Sequence, residues 1–571
     1  MRGVSLLAAI LPLVTVIASC APGPVRPSDP GAPAAPTTEA ASGPKVLLVG
    51  EQQEPLTIQG FVPPGSSGSR GGTEASMVHG FLVVPDADNI LHPQLALEVP
   101  SVANSDWQLN GDGSMQLTWK LRRDVKWHDG TPFTSDDLLF SFGVYKDPDM
   151  AHPYTGQTRL IDSAEAPDPY TFVVHWRAIS VDADSALALV PIPRHLLEAT
   201  YKADKDAFVR SPYFAEQFVG LGPYRMTRWD RGSSMELARF DEYFEGRPPL
   251  DGIEVRFIGD PNIMAANILA GALDVVLPPS LDLDAAVDIQ QRWAGTGNQM
   301  RVGALPSFLD IDIQYRPDLS RPANWMTNPL VRRALYQAID RTSLADVMTH
   351  GTAPIADSWY RPGTPQRAAV EASIPSYPHD PIAARRLLAD AGWVPGPDGM
   401  LMSSTTGEPA ATELWSNTRA ITKGEKQITL IGQDWKNVGV NVDLAPIPIA
   451  KAGDRQNEAS FPAGMLSRAP TDAVSMRLDP PQIAGPVNSW SGRNIGGYTN
   501  PRVAAVLRSL EVTVAAQQRQ TLEGQLVQEI MGDVAWMPLY WEVRPVLQLA
   551  SVQADIQANN PGWNVFQWRK V

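Results

Sequence analysis

The sequence predicts an α/β fold with mixed sheets, and two kinds of segment predict it. Three helix starts of one type, Asn328-Pro329, Asp380-Pro381 and Asn500-Pro501, each put a capping side chain before a proline at the first helical position. The cap oxygen accepts an orphan backbone N–H, and proline has no N–H to lose there. Strand-like runs at residues 45–50, 116–121, 440–444 and 537–540 lie around them. Helices and strands alternating along one chain give the α/β class.

Taken in order, the chain opens on an apolar run from Val4 to Val16, followed by Ile17-Ala18-Ser19-Cys20. The run is too short to span a bilayer, so residues 1–19 read as a leader. The lone cysteine after two small residues resembles the lipobox of a bacterial lipoprotein. That resemblance implies cleavage before Cys20 and a lipid on its thiol. Residues 20–44 are rich in Pro, Ala and Gly and read as a tether, with too little apolar surface to offset ordering entropy. The folded part begins at the buried-strand pattern of residues 45–50. Residues 63–72 are a Gly/Ser-rich loop. Gln116-Leu-Thr-Trp-Lys-Leu alternates polar and apolar residues as a half-buried strand does. Thr134-Ser-Asp-Asp starts a helix, followed by Leu138, Leu139, Phe142 and Tyr145 at helical spacing. Later stripes run Val331, Ala334, Leu335, Ala338; then Ala384, Leu387, Leu388, Ala391, closed by Gly392; then Val503, Val506, Leu507, Leu510. All three stripes read as core.

Composition excludes several functions. The net charge of -15 argues against nucleic acid. Cys20 is the only cysteine, so no intramolecular disulfide or cysteine metal cluster forms. The eight histidines are scattered without ligand spacing. No Walker A, dinucleotide glycine fingerprint, His-Glu-x-x-His or Gly-x-Ser-x-Gly motif occurs. Asp136/Asp137 sit at a helix start and Asp282/Asp284 in a loop-like acidic run, so neither reads as an acid–base pair. The expectation is a binding protein with no cofactor, not an enzyme. The 16 tryptophans suit a ligand cleft or a core equally.

Residues 121–138 read Leu-Arg-Arg-Asp-Val-Lys-Trp-His-Asp-Gly-Thr-Pro-Phe-Thr-Ser-Asp-Asp-Leu. This closely resembles the signature block of the family 5 extracellular solute-binding proteins, the peptide and nickel receptors of ABC importers. Similar blocks follow at residues 191–197, 220–225, 331–340, 380–393, 497–501 and 537–540, so the resemblance covers about residues 45–560. The blocks themselves read as structural. His128 is expected to hydrogen-bond a turn and not to ligate a metal. Gly220, Gly222 and Pro223 read as a backbone crossing where only glycine fits. The resemblance implies a two-lobed, periplasmic-binding-protein-like clamp that closes by hinge motion. Lobe I would comprise residues 45–300, with an extra subdomain inserted at about 81–190. Lobe II would comprise 301–536, and 537–571 would return to lobe I. The crossings would lie near 301–306 and 537–545.

In peptide-binding members an acidic side chain after a Gly-Trp pair holds the ligand's α-ammonium. Here Gly464 is followed by Met465, and Arg468 stands where the acid would fall. Two expectations follow. Either Asp472 is the ammonium anchor and the ligand a peptide, or Arg468 or Arg493 binds an anionic or polar non-peptide solute. Trp415, Trp490 and Phe308 are candidate apolar walls in both. The resemblance implies a monomeric substrate-binding lipoprotein, extracytoplasmic and anchored to the membrane on its periplasmic or outer face. It would capture a small solute, foremost an oligopeptide, and deliver it to a permease driven by separate ATPase subunits. The alternatives are an anionic solute, an oligosaccharide, a metal chelate or a sensory role.

Overall fold

Ten strands form one mixed sheet. Their order is Asn441–Pro446, Ala411–Ser416, Gly464–Pro470, Gln299–Ile313, Met537–Gln548, Val275–Val276, Val46–Glu51, Gly252–Phe257, Ser234–Arg239 and Tyr224–Asp230. The structure is a computed structural model and describes residues 43–58, 72–150, 159–185, 189–417, 423–451, 453–471 and 474–571. The expectations for Cys20, for residues 63–71 and for Asp472 therefore fall outside the described residues. Parallel pairing joins Val46–Glu51 to both of its neighbours and Ala411–Ser416 to both of its own. The two longest strands, Gln299–Ile313 and Met537–Gln548, pair antiparallel between those groups. Residues 44–571 form one compact unit.

Two large cores sit on this sheet and share no buried side chain. The first gathers Leu47, Trp119, Trp127 and Leu305, then Val546 and Trp568 from the far end of the chain. The second runs from Phe308 to Trp541 and includes Trp325, Trp435 and Trp536. These two cores define two lobes. Each long strand passes from one to the other: Leu305 is in the first core and Phe308 in the second, Trp541 in the second and Val546 in the first. A separate antiparallel sheet, Trp107–Leu109, Met115–Lys120, Thr171–Trp176 and Ile161–Asp168, buries its apolar face in the first core. A smaller core packs Met264, Ile289 and Trp293 against Val276 and Leu547.

The local rules hold where they are strongest. Asn328, Asp380 and Asn500 each accept a backbone N–H at the start of Pro329–Ala338, Pro381–Asp390 and Pro501–Val512. The Asp282–Asp284 run is not a loop. Asp282 caps the helix Leu283–Arg292, accepting the Ala285 N–H at 2.8 Å. Two acidic residues suit a helix start as well as a loop, because the positive end of the helix dipole favours both.

The signature block is a structural knot. His128 accepts the Gly220 N–H at Nδ1 (3.1 Å), and its Nε2 meets the Gly222 carbonyl at 3.0 Å. Burial pushes this imidazole down to about 4, so it stays neutral and suited to both bonds. Asp137 accepts the Thr134 N–H and the Arg194 N–H, each at 3.0 Å, which ties residues 191–197 to the same helix start. A Cβ on Gly220 would lie 2.0 Å from the Val78 carbonyl oxygen, and one on Gly222 2.4 Å from the Val78 carbonyl carbon. Backbone cannot yield as a side-chain tip can. Gly220→Ala is therefore expected to cost about 3 kcal/mol of stability, the upper range for overpacking. A melting temperature matching the parent's would refute this close-approach account.

Candidate functional site

The chemistry of interest gathers where the two long strands cross between the lobes. Their register breaks between Ala304 and Phe308, at Leu305-Pro306-Ser307. Proline has no N–H for a ladder bond, so it is tolerated at such an irregularity. Beside the break opens a cleft of 530 Å³, with Pro306 and Trp541 of the crossing strands in its wall. The first lobe contributes Asp88, Asn89, Val181 and Asp182. The second contributes Trp359, Tyr360, Arg361, Thr471 and Val474, with Leu507, Leu510, Arg519 and Glu523 from its helical layer.

Trp541 is fully buried and packs on Phe308 with ring centroids 5.3 Å apart. Trp359 stacks on Trp536 at 6.4 Å. Arg361 ties three segments together. Its Nη1 donates to the Ala304 carbonyl at 3.0 Å, next to the register break. Its Nη2 donates to the Ala87 carbonyl at 2.7 Å and pairs with the Asp88 carboxylate across the cleft. Gln366 also donates to the Asp88 carbonyl, at 3.1 Å. Arg519 pairs with Glu523 at 3.1 Å. Near Arg519, burial and the adjacent Asp182 charge push Asp184 up to about 6. On another flank Asp284, in the helix Leu283–Arg292 of the smaller core, meets His350 of the second lobe at 2.8 Å and pairs with Lys423.

The expected site residues fall in different places. Asp472 lies outside the described residues, but Thr471 and Val474 beside it in sequence both line the cleft. Arg468 is in the strand Gly464–Pro470 and pairs with Glu542 of the second crossing strand at 3.5 Å. Glu542 also accepts the Ser307 hydroxyl at the register break. Trp415 donates its indole N–H to Glu413 at 2.7 Å and packs beside Ile447, Phe461 and Met465. Trp490 lies under the Arg316 guanidinium at 6.0 Å, and Arg493 is exposed on the same loop. None of Arg468, Trp415, Trp490 and Arg493 lines the cleft. Phe308 is 0% exposed in the second core and is not among the residues that line the cleft. Its register partner Trp541, equally buried, borders the cleft. Trp359, Arg361, Arg519, Glu523 and Trp541 were not expected. Only Trp541 carried a signal, since it lies in the segment read as a crossing.

Residues 98–476 match the family model described as bacterial extracellular solute-binding proteins, family 5 Middle. The chain belongs to this family. Among curated relatives, the oligopeptide-binding protein AppA of Bacillus subtilis is 25% identical over 286 residues. That alignment covers 49% of each chain, so the chain spans about half of AppA's length. Heme-binding protein A of Haemophilus influenzae is 23% identical over 470 residues, covering 77% of this chain and 78% of that one. Among solved structures, HbpA2 from Haemophilus parasuis superposes with a TM-score of 0.71 at 19% identity, over 92% of this chain and 100% of that one. The fold of this family 5 member is thus the two-lobed clamp of its solved relatives, with the crossing strands at its centre.

Among the described residues of this family 5 chain, no helix is long and apolar enough to cross a membrane. No group of three or more His, Cys, Asp or Glu side chains among them converges as a metal site would.

Proposed function

We propose that this chain is the solute-capture component of an ABC importer and holds an oligopeptide between its lobes. The observation that carries the reading is the interlobe cleft, walled by both lobes and by the strands that join them. Its 530 Å³ falls within the roughly 300–1,000 Å³ of small-ligand sites. Tryptophans and leucines provide apolar wall, and a few charged groups provide orientation. The cleft carries four carboxylates (Asp88, Asp182, Glu511, Glu523) and two guanidiniums (Arg361, Arg519). Both guanidiniums are already paired, to Asp88 and Glu523. The remaining charge is negative, which suits a peptide ammonium and opposes an anionic solute. Of the two residues that favoured an anion, Arg468 is engaged by Glu542 and Arg493 is exposed outside the cleft wall.

The wider assignment follows from this reading. Lobe I takes residues 45 to about 305 and about 546–571, with a subdomain at about 81–190, and lobe II takes the stretch from Phe308 to Trp541, so the return to lobe I falls after Trp541 and not at 537. A lipid on Cys20, exposed after removal of residues 1–19, holds the monomeric receptor outside the cytoplasm beside its permease. Closure on solute is the delivery signal, and ATP is hydrolysed by partner subunits. Native mass spectrometry of the purified protein is expected to show a co-purified peptide. A binding peptide at 100 times its Kd is expected to stabilise the fold by about 2.7 kcal/mol. A bound non-peptide, or no melting shift across a diverse peptide library, would overturn the peptide assignment. Fatty-acid labelling that survives Cys20→Ala would overturn the anchor.

A further inference from the structure

Two buried carboxylates on the first crossing strand have a role outside the cleft chemistry. Asp310 is 0% exposed and Asp312 8%. Both face Arg477, whose Nη1 lies 2.7 Å from Asp310 and 3.1 Å from Asp312. The other terminal nitrogen, Nη2, donates to the Ser467 hydroxyl at 3.0 Å and the Arg468 carbonyl at 2.8 Å. The guanidinium lies 5.5 Å from the centre of the Trp536 ring, and the Trp536 indole N–H bonds Asp310. Burial, opposed by Arg477 and reinforced by Asp312, raises Asp310 to about 7. The two carboxyl groups and the guanidinium are thus held together by direct contacts in a buried site.

Arg477 lies in the short helix Val474–Leu478, which follows the strand Gly464–Pro470. Through Nη2 it grips the end of that strand, nine residues back. Through Nη1 it grips the crossing strand. Thr471 and Val474, which line the cleft, lie between these two points of attachment. We infer that Arg477 is a positioning residue that holds Thr471 and Val474, the described cleft residues between Arg468 and Arg477, against the crossing strand. The inference rests on the cleft being the ligand site. It requires the planar fork of arginine, since a lysine ammonium cannot bond two carboxylates, a hydroxyl and a carbonyl in this geometry.

Hydrogen exchange of the full chain without ligand tests the positioning directly. Arg477→Met is expected to speed exchange of the described amides between Arg468 and Leu478 at least tenfold. Protection within Gln299–Ile313 should stay at the parent level. Arg477→Lys is expected to show the same loosening, because it keeps the charge and loses the fork. If Arg477→Met does not fold, the triple variant Asp310→Asn, Asp312→Asn, Arg477→Met removes the buried charges at nearly constant volume and carries the same expectation. Unchanged exchange between Arg468 and Leu478 would overturn the inference. A pool of synthetic tri- to pentapeptides gives the second readout, with at least tenfold weaker binding expected in Arg477→Met. If the parent binds none of them, the peptide reading fails while the exchange result still decides the role of Arg477.

Discussion

Replacing Arg332 by methionine is expected to destabilise the fold by about 2–4 kcal/mol, the cost of leaving the carbonyls it serves without their donor. Arg332 is 2% exposed in the helix Pro329–Ala338. It donates to the carbonyls of Met326 and Thr327 at 2.9 Å, of Asp533 at 2.9 Å and of Val534 at 3.2 Å. It also pairs with the Asp533 carboxylate at 2.6 Å. Asp533 caps the C-terminus of the helix Ala516–Gly532, where carbonyls have no intrahelical donor. Methionine would keep much of the volume and leave the buried contacts to Met326 and Val534 and the part-buried ones to Thr327 and Asp533 unmade, a buried carbonyl costing about 1–3 kcal/mol before relaxation. Lysine should recover only part, since it brings a point charge without the fork. A shift in the urea midpoint measures the loss, and a midpoint within error of the parent's would sink the argument.

Glu74→Gln is expected to stabilise the protein by about 1–2 kcal/mol at pH 7.5 and to do nothing at pH 4.5. Glu51 ends the strand Val46–Glu51, and Glu74 lies in the helix Gly72–Val78. They are 9% and 1% exposed. Burial first, then the neighbouring Glu74 carboxylate, holds Glu51 well above the usual carboxylate range. Burial likewise raises Glu74. Among the described residues, Oε1 of each has no hydrogen-bond partner. A carboxyl raised on folding binds its proton more tightly in the native state. Its stabilising effect is therefore complete at low pH and is lost as pH climbs from the ordinary carboxylate range through the folded value. Glutamine mimics the protonated form and cannot ionise. Equal destabilisation by Glu74→Gln at both pH values would show that the pair is held together by something other than a shared proton.

Features set by neighbours in sequence were legible. The caps at Asn328, Asp380 and Asn500 need only a side-chain oxygen and the next few residues. The glycines at 220 and 222 were legible because no other residue tolerates such an approach, whereas the partners of His128 were not, since both lie more than ninety residues away at Gly220 and Gly222. The cleft was not legible for the opposite reason. Its wall is assembled from residues near 88, 181, 306, 360, 471, 510 and 541, which only the sheet order brings together. Phe308 and Trp541 show how narrow the margin is. They face each other in register on paired strands, both fully buried, and only Trp541 is part of the cleft wall. Sequence identifies an aromatic at a crossing and says nothing about which partner borders the cleft.

The route of the chain through the two cores also governs when each can form. The second core is drawn from one continuous stretch, Phe308 to Trp541, and every contact it needs exists once that stretch is complete. The first core waits for Val546, Ile556, Val565 and Trp568, which pack against residues as early as Leu47. Lys570 closes it by pairing with Asp274 at 2.6 Å and donating to the Val46 carbonyl. Contacts separated by more than five hundred residues are among the slowest to find, because loop closure precedes their reward. The lobe that starts first along the chain is therefore the one that finishes last. A chain cut before Val546 would leave the second lobe whole and the first one open.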